Sequence, residues 1–91
     1  MNEATVDEIL RNYPGVEDIA RYLLEHHVDI NPEGGYTLMK DEKVVADAML
    51  GSDELKIAVD PLDEDSRKAF EAAGYKVIDA DDMETIKTII Q

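Results

Sequence analysis

The stretch that most restricts the fold runs from residue 54 to residue 78. Leu55, Ile57 and Val59 alternate, with the small Ala58 between the last two, so residues 54–59 read as a strand buried on at least one face. Asp63 is placed as the N-cap of a helix through Ala73, with Phe70 and Ala73 on its inner face and Gly74 at C′. Tyr75 to Ile78 reads as a second strand. A strand, a helix of about ten residues and another strand form a βαβ unit, because parallel neighbours need a crossover too long for a hairpin.

Two helices precede this unit. Thr5-Val6-Asp7-Glu8 matches a capping box, Val6, Ile9, Leu10 and Tyr13 follow at helical spacing, and Pro14-Gly15 ends the segment. Val16, Ile19, Ala20, Leu23 and Leu24 then lay one apolar stripe along a second helix up to His27. "NPEGG" (31–35) is a loop, since Pro32 disfavours helix at Asn31 and the two glycines allow positive φ. Tyr36 to Lys40 reads as a strand. Residues 43–49 fit either its hairpin partner across Lys40-Asp41-Glu42-Lys43 or a helix ending at Gly51; two β-prone runs about a short polar turn favour the hairpin. A last helix carries Met83, Ile86 and Ile90 on one face. The expected fold is α/β (or α+β) in a single domain over residues 1–91. It has two N-terminal helices, a β-hairpin, and a β-α-β-α unit forming a small mixed sheet with helices packed on it.

The stretch "KIAVDPLDEDSRKAFEAAGYKVI" resembles the opening βαβ of the 2-hydroxyacid dehydrogenases. The likeness lies in the apolar strand followed by Asp60-Pro61-Leu62 and in the Ala72-Ala73-Gly74-Tyr75 exit, about a quarter of the chain. It implies a βαβ shape. The sequence contains no G-x-G-x-x-G and has no room for the family's catalytic domain, so it implies no dehydrogenase activity.

Charge narrows the function classes. Twenty-two Asp and Glu against nine Lys and Arg give a formal charge of −13, which opposes direct nucleic-acid binding and anionic membranes. No apolar run reaches the length of a membrane span, and the acidic start "MNEATVDEIL" is unlike a basic signal-peptide start, so a cytoplasmic location is expected. The absence of Cys removes thiolate metal sites and Cys nucleophiles. No P-loop or nucleophile with an identifiable activating neighbour occurs, so no catalytic residue is assigned. Arg11, Arg21, Arg67, Lys68 and Lys87 each have an acidic residue three or four positions away on a helix, leaving a strongly negative residual surface. The leading expectation is a non-enzymatic binding or regulatory module that meets a basic protein partner through that surface.

The alternative is a divalent-cation site. Asp60 and Asp79 end the two predicted parallel strands, where ligands of open α/β sheets gather. With Asp63 and Asp81 they would give the all-oxygen ligand set that suits Ca²⁺ or Mg²⁺. Helix capping competes for the same residues: Asp81 fits the N-cap of the last helix, with Asp82 in the first turn and Glu84 at N3. His26 and His27 point about 100° apart on a helix and cannot chelate one ion; position 27 continues the apolar stripe and is expected to be packed.

Overall fold

The computed structural model describes residues 5–91. Its elements are α1 (Val6–Leu10), α2 (Glu17–Glu25), β1 (Tyr36–Lys40), β2 (Lys43–Ser52), β3 (Ile57–Pro61), α3 (Glu64–Ala72), β4 (Lys76–Ile78) and α4 (Met83–Ile90). The four strands form one mixed sheet in the order β1-β2-β3-β4. β1, β2 and β3 are an antiparallel meander, and β4 runs parallel to β3 after the α3 crossover. Residues 43–52 are therefore strand and not helix, and the βαβ unit is present.

Helices α1, α3 and α4 start where a side chain accepts an orphan N–H, whereas α2 starts at Val16 without one; in α3, Asp63 accepts from the Ser66 backbone N–H at 2.7 Å. The Thr5/Glu8 capping box is formed on both sides. At α4 the cap is Asp82 and not Asp81. Asp82 accepts from both the backbone N–H (3.1 Å) and the hydroxyl (2.6 Å) of Thr85, which moves Glu84 from N3 to N2. The Asp82 carboxyl is held below its usual range, first by the Thr85 hydroxyl and then by the Thr85 N–H.

The exits of α2 and α3 are the same motif. Gly74, at φ +88°, sits at C′ of α3; Tyr75 N–H reaches back to Phe70 C=O and Gly74 N–H to Glu71 C=O. The Phe70 and Tyr75 rings meet edge to face at 5.3 Å, the apolar contact that closes the motif. In α2 the equivalent residue is His27, at φ +61°, with Val28 N–H bonded to Leu23 C=O and His27 N–H to Leu24 C=O. His27 is thus exposed at a left-handed C′ position and not packed on the stripe. The ring beside it, His26, stacks on Tyr22 at 4.1 Å.

Helices cover both sheet faces. On one, Leu10, Val16, Ile19, Leu23 and Ile86 pack with Leu50, Ile57, Val59 and Ile78. On the other, Phe70 and Tyr75 pack with Ala46, Ala48 and Ala58, whose small side chains let α3 approach the strands. Tyr36 joins this side and lies across Gly51, where an added Cβ would come within 2.4 Å of the ring. Ala48 and Leu50 are two residues apart on β2 yet belong to opposite cores. Regular pleating would put them on one face, so the pleat breaks between them. Opposite the break, Asp60 takes φ +55°. The expected strand over 54–59 is displaced for a related reason: residues 53–56 form a turn in which Lys56 adopts φ +55°, and β3 begins at Ile57.

Candidate functional site

The four predicted cation ligands are only partly brought together. Asp60 and Asp79 each lie one residue beyond the last β3–β4 register pair, Val59 with Ile78. The expected juxtaposition of two strand ends is therefore present in the backbone. Three of the four have other employment. Asp60 supplies the left-handed residue at the pleat break, a conformation that Asp tolerates better than most residues. Asp63 caps α3, and Asp79 faces the Arg67 guanidinium at 3.7 Å, which also stands 3.8 Å from Glu64. Asp81 is exposed in the loop before α4. Among the described residues no three His, Asp or Glu side chains converge into a group that could hold a metal ion.

The same geometry revises the picture of the basic residues. Of the five with helical acidic neighbours, only Arg67 forms ion pairs among the described residues. Both are solvent-screened, so each contributes about 0–1 kcal/mol. Arg11, Arg21, Lys68 and Lys87 are exposed without such a contact. None of the carboxylate residues among the described positions is buried, and all but Asp47, Asp60 and Asp82 are exposed. The negative charge is therefore a property of the surface.

Part of that charge frames a groove of about 520 Å³ between α2 and α4. Glu17, Asp18 and Glu25 reach it from α2 and Asp81 from the loop before α4, against Arg21 and Lys87. Its floor carries Tyr22 and Met83, both half-buried, beside the buried Val16 and Ile19. An apolar floor under a net negative rim suits the aliphatic stem and cationic head of a Lys or Arg side chain. The sequence shows the acidic residues one by one, but the groove exists only because the stripe of α2 and the apolar face of α4 share one core.

A second cluster is invisible at sequence level. The Tyr36 hydroxyl donates to an Asp53 carboxylate oxygen and lies 2.7 Å from the Tyr75 hydroxyl; Tyr75 is 3.4 Å from the same oxygen. The Lys56 ammonium stands 4.8 Å from the Tyr75 ring centroid. Burial, followed by the bonds to Asp53 and Tyr75, pushes the Tyr36 phenol far above its ordinary value. The arrangement ties edge strand β1 to the β2–β3 turn and to the exit of α3. Its members are far apart in the chain and share no local spacing that would announce them.

Compared with protein-family models, with curated proteins and with solved structures, the chain shows no match.

Proposed function

We propose that the protein is a non-enzymatic binding module that docks a basic segment of a protein partner in the groove between α2 and α4. The observation that carries this reading is the lining itself: Glu17, Asp18, Glu25 and Asp81 around an apolar floor, on a chain of charge −13. Long-range attraction would raise the encounter rate with a cationic partner, and the apolar floor would hold the stems of the side chains that arrive.

The test is an amide NMR titration with a short Arg- and Lys-rich peptide. Saturable shifts confined to α2, residues 79–83 and Lys87 are expected, weakening as NaCl rises from about 0.05 to about 0.5 M. Asp18→Lys and Asp81→Lys together should lower affinity by about tenfold or more. Shifts spread over all acidic surfaces, or binding insensitive to that pair of changes, would refute the groove.

One observation favours a second reading, a Ca²⁺ or Mg²⁺ ion shared near Asp60, Asp63, Asp79 and Asp81: the adjacent register of the two strand ends. Titration with each cation addresses it in the same spectra. A site predicts saturable shifts confined to residues 60–65 and 79–84, weak because surface carboxylates without a closed cage bind Ca²⁺ at about 10⁻⁴–10⁻³ M. Diffuse, non-saturating shifts would remove it.

A further inference from the structure

Tyr22 differs from the other aromatic residues in what surrounds its ring. Tyr13, Phe70 and Tyr75 are buried, and the Tyr36 hydroxyl is taken up by Asp53. Tyr22 is half-buried and lines the α2–α4 groove, with Asp18 and Ile19 on the turn before it and Glu25 on the turn after. His26, four residues beyond Tyr22, does not line the groove. It stacks on the Tyr22 ring instead, with centroids 4.1 Å and planes 30° apart. Side chains of a helix lean towards its N-terminus, so His26 comes back over Tyr22 from the C-terminal side. The side of the ring towards Asp18 and Ile19 is left to the groove. The His26 Nδ1 lies 2.9 Å from the Tyr22 carbonyl oxygen; a carbonyl only accepts, so Nδ1 carries the proton and the imidazole is pinned behind the ring.

Resting on the reading of this groove as a dock for a basic segment, we propose that it selects arginine over lysine. Tyr22 is the platform for the guanidinium, and His26 is the residue that positions the platform. A guanidinium is flat and weakly hydrated, so it lies on an aromatic face while the N–H groups at its edge reach carboxylates. An ammonium is compact and strongly hydrated, and it has no plane to match to the ring.

The surroundings of Tyr22 meet both demands. The two ion pairs among the described residues belong to Arg67, so Asp18, Glu25 and Asp81 are engaged by neither Arg21 nor Lys87. Nor does either cation stand over Tyr22, since the one cation–ring contact among the described residues is that of Lys56 with Tyr75. Ring and carboxylates are thus both open to an arriving side chain, and Ile19 and Met83 give its stem an apolar floor. Because His26 holds the ring in place beforehand, less side-chain freedom is lost on binding.

The test uses two peptides of equal length and charge, one with Arg at every basic position and the other with Lys, each titrated into the full chain and followed by amide NMR. The Arg peptide should bind about fivefold more tightly. Nuclear Overhauser contacts should join the Tyr22 ring protons to the arginine CδH₂. Since the charges are equal, added salt should lower both affinities together and leave their ratio unchanged. Tyr22→Leu keeps an apolar floor without a ring and should bring the ratio to about one, whereas Tyr22→Phe should keep it. His26→Ala should reduce the ratio to about twofold, and His26→Phe, which restores a ring behind Tyr22, should recover it. Thermal melts check that each variant folds, and a ratio taken on one variant is insensitive to any loss of folded fraction. Equal affinities of the native chain, with both peptides shifting α2 and residues 79–83, would overturn the selection and leave the docking reading standing. Failure of both peptides to bind at the groove would overturn the two together. An arginine preference that survives Tyr22→Leu would overturn the role of the ring.

Discussion

Tyr13 links the turn between α1 and α2 to the loop before β1, and replacing it with Phe removes a single oxygen from a fully buried site. Its hydroxyl donates to the Asn31 carbonyl, which also accepts the Gly34 N–H at 3.1 Å. Because that second donor stays, Tyr13→Phe does not orphan the carbonyl. The cost at pH 7 is therefore the net value of one hydrogen bond plus a small void, about 1–2 kcal/mol, and not a full desolvation penalty. Burial also pushes the Tyr13 phenol up to about 12 from an ordinary value of 10.0. A folded-state value above the unfolded one means the phenol's contribution is complete below pH 10 and is lost as pH rises towards 12. At about pH 11 the native protein should have lost about 1.4 kcal/mol through this group, so the gap to the Phe variant nearly closes. Tyr36 titrates late as well, but it is common to both proteins and cancels in the difference. Urea unfolding followed by circular dichroism at about pH 7, 9 and 11 reads the effect directly. A difference that stays constant across that range would refute the reasoning, as would a variant as stable as the native chain at pH 7.

Three further variants probe local conformations. Asp82→Ala should cost about 1 kcal/mol by removing the α4 cap, while Asp81→Ala should stay within about 0.5 kcal/mol; chemical denaturation of the two distinguishes the caps. Asp41 and Glu42 form the hairpin turn at φ +52° and +66°, so Asp41→Asn with Glu42→Gly should raise stability by about 1–2 kcal/mol, read as a higher melting temperature.

Where a structural signal is local, the chain announces it. The Thr5/Glu8 box, the Asp63 cap, Gly74 at C′ and the strand–helix–strand run are each set by neighbours within a few positions, and all are present. His27 was misleading because its side chain continues an apolar spacing while its backbone has already turned left-handed. Asp81 and Asp82 are equally good caps by composition; the doubly bonded Thr85 decides between them. In the candidate cation site, the alignment of Asp60 with Asp79 follows from parallel pairing and was legible. The engagement of Asp79 by Arg67 was not, since it depends on where α3 lies over the strands. The Tyr36–Asp53–Tyr75 cluster joins three separate elements and leaves no periodic trace.

The break between Ala48 and Leu50 divides the interior into two compartments that share a sheet but not a filling. One is filled largely by branched aliphatic residues from α2, α4 and the strands; the other depends on three aromatic rings over alanines. A void opened beneath α3, by shortening Phe70 for example, cannot be taken up by repacking Leu23 or Ile86, because the backbone of β2 and β3 stands between them. Damage on either side should therefore remain on that side.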